Sequence, residues 1–509
     1  MHRLPSILLA GAMLAGCNPG TSNDVGSGDA EPSKAETVPA PVLETIATGA
    51  NISGANGIHF GPDGLLYVAS VIGSDLSIID PETNEIVRRL TAEDGVFGPD
   101  DVAFAPDGSY YWTSILTGQV AGFTPDGERV VAAQLAPGSN PITFSDDGRL
   151  FVSQCFLGTN LYELDPTGEA PARLIADDLG PGCGLNGRVW GPDGRLYGPR
   201  WFVGEVVSYD VDSGERRVEA TGFSTPAAIK FDSTGTLHVL DTGTGEVVRM
   251  TDDGREVIGT LTPGLDNFAF DADDTVFVSS YADGFIKKQN ADGSFSDVQP
   301  GGMSHPGGVT VIGDTVWVAD VHALRGFDRE TGEEIITQRN IVGVGELGGS
   351  LNVARDGENL ILSSWFDADV RVWNPQTQTR VAHFPNLAGP ASAARYAGDL
   401  AIAEHLKGSV TLFGDDDTRV LAGDLPAPTG LVVDGEDLYV SDRELGQILL
   451  IARGGEALSE PELVVGGLEK PEGFLIHDGG FVIVEAEASR EVNVDRDRER
   501  RELASNQAG

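Results

Sequence analysis

The chain has 509 residues, enough for two domains, and its 78 acidic and 34 basic side chains give a formal net charge of −44. A field this negative repels phosphate backbones and anionic lipid surfaces, so we expect no nucleic-acid partner and no membrane contact except through a lipid anchor. The apolar content of 40% supports a folded core, and 67 glycines with 28 prolines indicate a turn-rich, all-β protein rather than a helical bundle.

The N-terminus predicts export. Residues 1–17 read MHRLPSILLAGAMLAGC, a basic start followed by an apolar run too short to span a bilayer permanently. The ending Leu-Ala-Gly-Cys resembles the lipobox of bacterial lipoproteins, which implies cleavage before Cys17 and acylation of that cysteine, for example with palmitate. An ordinary signal peptide with an incidental cysteine is the alternative. Asn18 favours an outer-membrane, cell-surface or periplasmic location, and residues 18–41 are expected to form a flexible tether.

From residue 42 onward the chain repeats one unit eleven times. Each copy has an apolar start, a turn rich in Asp, Pro and Gly, and an alternating strand, as in IHFGPDGLLYVAS (58–70) and ITFSDDGRLFVSQ (142–154). A second turn follows within the same copy, so each unit contains two hairpins. Four antiparallel strands in about 40 residues are typical of one blade of a β-propeller, whereas unrelated β-sandwiches would not keep so steady a period.

Eleven blades in one ring would be unusual, so we predict two tandem, about six-bladed propellers. The first would span residues 42–300 and the second, more degenerate one residues 301–509, because Gln299–His305 breaks the repeat pattern. The second half shows five copies, plus a cryptic or shared sixth. A strand over Val42–Thr48 is expected to close one of the two rings by pairing with a late strand.

In a propeller, the residues that begin each first strand surround the central channel. In the first half, five of six copies present an amide or a carboxylate there: Asn56-Gly57, Asp100-Asp101, Asn140-Pro141, Asn186-Gly187, Pro226-Ala227 and Asp266-Asn267. The corresponding residues of the second half are much less polar: Pro306-Gly307, Gly349-Ser350, Pro390-Ala391, Thr429-Gly430 and Glu472-Gly473. The pattern therefore places any site in the first propeller.

Converging oxygen donors suit a hard cation such as Ca²⁺, whereas zinc or iron would require His or Cys ligands. The expected metal set is Asn56, Asp100, Asn140, Asn186 and Asp266. The alternative interpretation is local, because Asn and Asp also favour the turns that precede strands.

Asn56-Gly57 with Pro62-Asp63-Gly64, followed one copy later by Pro99-Asp100-Asp101, resembles the gluconolactonase, senescence-marker-protein and luciferin-regenerating-enzyme family. The resemblance implies a six-bladed, Ca²⁺-dependent lactone hydrolase in which Asn56 and Asp100 bind the metal and Asp100 is the catalytic base. The Glu-Gly-Pro start found in that family has no match in the first half, and only Pro471-Glu472-Gly473 in the second half resembles it.

Three further predictions concern the surroundings of the channel. Arg200 and Trp201, together with Asp101, could bind an anionic or sugar-like substrate. Cys155 and Cys183 follow and precede strands on the same face of adjacent blades, which favours a disulfide in an exported protein over two free thiols. His305 begins a first strand, where streptogramin lyase-like propellers are similar in placing a catalytic histidine.

Three functions follow from these observations. The first is an envelope-anchored, Ca²⁺-dependent hydrolase acting on a small lactone or ester. The second is a non-catalytic scaffold that binds a protein or a glycan at the cell envelope, because fold alone does not imply catalysis. The third is a lyase of the streptogramin type.

Overall fold

The computed structural model describes residue 45 and residues 47–414, 417–477, 479–485, 490–494 and 500–505. These residues form eleven four-stranded antiparallel sheets, and in each sheet the strand order follows the chain. The only helical element among them is a 3₁₀ turn, Ala92–Asp94. The predicted all-β propeller fold with four strands per copy is therefore confirmed. The predicted signal segment 1–17 with Cys17 and the tether 18–41 lie outside the described residues.

Six blades make up the first half of the structure. Blade 1 contains β1 (Ile58–Phe60), β2 (Leu66–Ser70), β3 (Asp75–Asp80) and β4 (Glu85–Leu90); blade 2 contains β5 (Pro99–Phe104), β6 (Tyr110–Ser114), β7 (Gln119–Phe123) and β8 (Arg129–Gln134); blade 3 contains β9 (Ser139–Phe144), β10 (Leu150–Gln154), β11 (Leu161–Leu164) and β12 (Arg173–Ala176); blade 4 contains β13 (Val189–Trp190), β14 (Leu196–Arg200), β15 (Glu205–Tyr209) and β16 (Arg216–Thr221); blade 5 contains β17 (Pro226–Phe231), β18 (Leu237–Asp241), β19 (Glu246–Thr251) and β20 (Gly254–Thr260); blade 6 contains β21 (Leu265–Phe270), β22 (Val276–Ser280), β23 (Ile286–Gln289) and β24 (Phe295–Gln299).

Five blades make up the second half. Blade 7 contains β25 (Val309–Ile312), β26 (Thr315–Asp320), β27 (Ala323–Asp328) and β28 (Glu334–Arg339); blade 8 contains β29 (Asn352–Asp356), β30 (Asn359–Ser364), β31 (Asp369–Asn374) and β32 (Thr379–Phe384); blade 9 contains β33 (Pro390–Tyr396), β34 (Asp399–Glu404), β35 (Ser409–Phe413) and β36 (Thr418–Ala422); blade 10 contains β37 (Pro428–Asp434), β38 (Asp437–Asp442), β39 (Gln447–Arg453) and β40 (Glu456–Val465); blade 11 contains β41 (Pro471–His477), β42 (Gly480–Glu485), β43 (Arg490–Val494) and β44 (Arg500–Ser505).

An aromatic residue near the end of each first strand joins neighbouring blades in the first half. It packs against a ring of the second strand in the preceding blade, with ring centroids 4.9 to 5.6 Å apart. The six pairs are Phe277–Phe60, Tyr67–Phe104, Tyr111–Phe144, Phe151–Trp190, Tyr197–Phe231 and His238–Phe270. Because one such pair joins every blade to the next, the hydrophobic contacts run around the whole first half.

The first half closes into a six-bladed ring. Phe277 of blade 6 packs on Phe60 of blade 1, and β21 lies against β1. The Ser279 hydroxyl donates to the Asn56 carbonyl oxygen at 2.6 Å across the same seam. Ile58, which faces blade 6, is fully buried.

The second half is an open arc. Val309 holds the position in blade 7 that Ile58 holds in blade 1, yet it is 62% exposed. At the other end Val484 of blade 11 is 43% exposed, although its counterparts in the other blades are buried, as Ser279 is. Within the described residues, therefore, blades 7 and 11 do not pack on each other, and each leaves an apolar sheet face open.

Buried ion pairs join the two halves. The Arg325 guanidinium of blade 7 is 2% exposed and donates to Asp283 of blade 6 at 2.8 Å and to Asp320 of its own blade at 2.6 Å. Arg339 also donates to Asp283, at 2.8 Å. The second half is thus anchored on the loop that joins the second and third strands of blade 6.

The strand predicted over Val42–Thr48 falls partly outside the described residues, which omit 42–44 and 46. Thr48 is not in a strand, and Gly49 forms an isolated parallel bridge with Met303, in the connection between blades 6 and 7. The N-terminal end of the described chain therefore lies beside the junction of the two halves. No helix in the described part of the chain is long and apolar enough to cross a membrane.

Candidate functional site

The starts of the first strands bring the predicted polar side chains to one end of the first ring. Asp100, Asn140 and Asn186 are buried, and Asn56 and Asp266 are half-buried. The fifth blade supplies Ala227 at the equivalent position, so that five of the six blades contribute an oxygen-bearing side chain.

Two glycines allow the blades to approach closely here. A Cβ added to Gly57 would lie 2.7 Å from the Asp101 Cα and 2.8 Å from the Asp100 carbonyl oxygen. A Cβ at Gly187 would lie 2.6 Å from the Ala227 carbonyl oxygen. The glycine of each Asn-Gly pair therefore has a packing function of its own, because no other residue fits between the inner strands of neighbouring blades.

The Asn56 amide of blade 1 bonds to a carboxylate of blade 6 and to its own blade. Its Nδ2 donates to Asp266 Oδ1 at 3.4 Å, while its Oδ1 accepts the Val71 main-chain N–H at 3.0 Å. The amide oxygen retains one lone pair for a further ligand. Burial, followed by the charge of Asp101, raises the pKa of Asp266 to about 7.

The Asp100 carboxylate has no hydrogen-bond donor among the described side chains and main-chain groups. Burial raises its pKa well above the ordinary value, and the negative charges of Asp266 and Asp101 raise it further. A buried acid without a donor is costly when ionised, so this carboxylate either holds a proton or requires a positive partner.

The Asp101 carboxylate, predicted from the sequence to contact a substrate, bonds to main-chain N–H groups. Its Oδ1 accepts the Val102 N–H at 3.0 Å and its Oδ2 accepts the Ile142 N–H at 3.2 Å, so the carboxylate joins blades 2 and 3. Burial raises its pKa, while the charges of Lys230 and Arg188 oppose that rise. Neither cation lies within 4 Å of a described carboxylate.

The donor set fits a hard cation in its chemistry. Among the described residues, the predicted side chains at this end of the channel carry oxygen donors, and the repulsion among the carboxylates of Asp100, Asp101 and Asp266 is what a divalent cation would relieve. No group of three His, Cys, Asp or Glu side chains within the described ranges is close enough to hold a metal ion by itself. A cation here would therefore also need the amide oxygens of Asn56, Asn140 or Asn186.

A segment of the second half covers this end of the first ring. Trp201 Nε1 donates to the Val342 carbonyl oxygen at 3.0 Å, and the Tyr281 hydroxyl donates to the Asn340 carbonyl oxygen at 3.2 Å. Ile341 and Val342 pack into an apolar cluster with these rings and with Ala227. We call residues 340–344 the roof, since they place an apolar layer over the polar starts of the strands.

The remaining predicted residues lie around the roof. Arg200 pairs with Glu205 at 2.9 Å, and Trp201 is buried beneath Val342. Cys155 and Cys183 form a disulfide in the same apolar cluster, and Cys155 Sγ lies 4.0 Å from Asn186 Oδ1. Arg200 and Trp201 therefore both have partners within the protein, Glu205 for the guanidinium and the Val342 carbonyl oxygen for the indole N–H.

His305 lies apart from the polar end of the first ring. It is exposed at the start of blade 7, where its main-chain N–H donates to Asp320. The Glu472 carboxylate, in the segment resembling Glu-Gly-Pro, lies in blade 11 and pairs with Arg443 at 3.1 Å. The structure therefore does not bring Glu472 to Asn56 and Asp100.

Sequence reasoning missed three contributors to this site. Lys230 lies within, and Arg188 directly before, an otherwise apolar first strand, a signal visible in the sequence. Their positive charges oppose the rise in the pKa of Asp101. The roof, by contrast, has no signal in the sequence, because it comes from the glycine-rich connection between blades 7 and 8 in the second half.

No protein-family model matches the chain, and no curated protein matches it. Virginiamycin B lyase from Staphylococcus aureus is 15% identical over 53% of this chain and 92% of its own, with a TM-score of 0.39. A streptogramin B lyase is 17% identical over 54% and 93%, with a TM-score of 0.40. The extracellular domain of the one component system BT4673 from B. thetaiotaomicron is 11% identical over 91% and 79%, with a TM-score of 0.34. Likeness this remote carries no argument about function.

Proposed function

We propose that the first ring binds Ca²⁺ through Asn56, Asp100, Asn140, Asn186 and Asp266 and hydrolyses a small lactone or ester there. The observation that supports this proposal is the buried Asp100 carboxylate, which has no donor and faces two further acids. The oxygen-only donor set agrees with the preference of Ca²⁺ for mixed carboxylate and amide ligands.

A bound Ca²⁺ would polarise the carbonyl group of the substrate. Asp100 would take a proton from the attacking water, whose oxygen bonds to the carbonyl carbon, and return that proton to the alkoxide that leaves. Without a cation, burial and the neighbouring acids raise the pKa of Asp100, and a bound cation would keep the carboxylate ionised so that it can accept this proton. Ile341 and Val342 would keep bulk water from the site.

Calorimetric titration of Ca²⁺ into the full-length protein tests the cation site. We expect one tight site that Asp100→Asn abolishes and that the exposed control Asp252→Asn leaves unchanged. The control matters because a protein with a net charge of −44 binds cations weakly over its whole surface. Weak binding at many sites, equal in both variants, would rule out the cation centre.

Turnover is tested separately with a panel of aliphatic lactones and aryl esters. We expect hydrolysis that needs Ca²⁺ and falls by at least about a hundredfold in Asp100→Asn, since general-base catalysis contributes about 10²–10⁴-fold. A tight Ca²⁺ site without hydrolysis of any substrate would leave the second candidate function, a binding scaffold at the cell envelope. The roof favours that candidate, because it covers the site.

The envelope location rests on the resemblance of residues 14–17 to a lipobox. We propose a lipid on Cys17 as the anchor. Metabolic labelling with palmitate should mark the wild-type protein and not Cys17→Ser, and equal labelling of both would overturn the proposal.

A further inference from the structure

The end of the second half that corresponds to the roofed end of the first ring has its own cluster of functional side chains. Trp365, His405 and Arg443 each follow the second strand of their blade, in blades 8, 9 and 10. Glu472 is the second residue of the first strand of blade 11.

The four side chains form two contacting pairs on successive blades. The Trp365 and His405 rings lie 5.2 Å apart between centroids. The His405 Nδ1 lies 3.3 Å from the Pro428 carbonyl oxygen, and Arg443 Nη1 lies 3.1 Å from Glu472 Oε1. The Arg443 charge acts on His405, so the two are neighbours.

The cluster offers hydrogen-bonding groups that have no partner in the protein. Arg443 Nε is buried and has no acceptor among the described atoms. A carbonyl oxygen can only accept, so the His405 Nδ1 beside Pro428 carries the hydrogen and Nε2 is left as an acceptor. Burial lowers the pKa of His405, which keeps the ring neutral. Glu472 is about one-third exposed and can accept a further hydrogen bond.

These groups select a ligand by its chemistry. A carboxylate would meet the Glu472 charge and the Nε2 lone pair, and an ammonium group would meet Arg443. Neighbouring hydroxyl groups can donate to His405 Nε2 and to the Glu472 carboxylate and can accept from the Arg443 Nε–H. Each hydroxyl both donates and accepts, so such a ligand satisfies all three groups. The half-buried indole of Trp365, positioned by Gly389 and His405, offers an aromatic face to the C–H groups of a sugar ring.

We propose that the second half binds a neutral saccharide at Trp365, His405, Arg443 and Glu472. The open side of the arc, between blades 7 and 11, gives an extended chain of sugars access to this cluster. Phe366, Leu406 and Leu445 are exposed in the same loops and border the cluster. The site is independent of the proposed cation centre in the first ring.

Calorimetric titration of the full-length protein in EDTA with cellotriose, maltotriose and chitotriose tests the proposal. We expect one saturable site for at least one trisaccharide. Trp365→Ala should weaken binding about tenfold or more, whereas Trp365→Phe, which keeps an aromatic face, should weaken it less than about threefold. Arg443→Lys keeps the charge near Glu472 but lacks the Nε–H donor, so it should also weaken binding, by about tenfold.

The matched control is Leu116→Ala, which changes the exposed leucine at the first-ring position equivalent to Leu406. Binding to this variant should equal binding to the wild type. No saturable binding of any of the three trisaccharides would overturn the proposal. Binding that survives both Trp365→Ala and Arg443→Lys, or that Leu116→Ala weakens equally, would also overturn it.

Discussion

The two halves of the molecule use the same repeat with different results. In the first half, Ile58 is fully buried against blade 6, while Val309 at the same position of the second half is 62% exposed. Each half has well-formed blades, so the difference does not come from the blades themselves. It comes from the number of blades, because five wedges of this shape leave a gap that six fill.

The aromatic pairs show the same difference in the side chains. Every seam of the first ring contains a ring-on-ring contact, including the closing seam between Phe277 and Phe60. In the second half the position of Phe60 is held by Val311, Arg355, Arg395, Val433 and Ile476. An open arc makes no closing contact, so there is less need for the same aromatic residue in every blade.

The closing seam should carry the largest single effect on stability. Phe277→Ala removes a buried ring between blades 6 and 1 and should lower the free energy of unfolding by about 3–5 kcal/mol. Val484→Ala alters the corresponding open flank of blade 11 and should change the free energy of unfolding by less than about 0.5 kcal/mol. Denaturant unfolding followed by fluorescence measures both. An equal loss of unfolding free energy in the two variants would mean that the second half is closed in solution.

The second-largest effect on stability is expected at the junction between the two halves. Arg325→Ala should cost about 3 kcal/mol, at the low end for a buried ion pair, because Asp283 keeps Arg339 and Asp320 keeps two main-chain donors. We also expect the two halves to unfold in separate calorimetric transitions once this link is lost. A single unshifted transition in the variant would show that the halves do not depend on Arg325.

The third prediction concerns Asp266 of the first ring, a half-buried acid whose pKa is raised by burial and by the charge of Asp101. The folded protein holds a proton on Asp266 up to about pH 7, whereas the unfolded chain loses it near pH 4. The free energy of unfolding should therefore fall as the pH rises through this window. In EDTA, Asp266→Asn should stabilise the protein by about 1–2 kcal/mol at pH 8 and have little effect at pH 4.

Thermal unfolding at both pH values tests this prediction, with Asp252→Asn as an exposed control. A stabilisation of the Asp266→Asn variant that is equal at pH 4 and pH 8 would contradict it. Ca²⁺ should compete with the proton, so its affinity should rise between pH 5.5 and 8 if the cation site exists.

Much of the fold was predictable because it depends on local chemistry. The Asp-Gly turns and period-two strands specify a four-stranded blade, and their recurrence specifies a propeller. The polar residues at the starts of the first strands were also predictable from the sequence. Their roles were not, because Asp101 and Asp266 have the same residue type but different partners: Asp101 bonds to main-chain N–H groups, whereas Asp266 faces Asn56.

The sequence by itself determined the repeat, the blade and the ring of amides and carboxylates, since each depends on residues close together in the chain. Only the tertiary structure decided that the first half closes and the second does not, since closure depends on how blades meet. It also decided that residues 340–344 cover the first ring and that Trp365, His405, Arg443 and Glu472 lie together. These contacts join residues from different blades, and no local pattern encodes them.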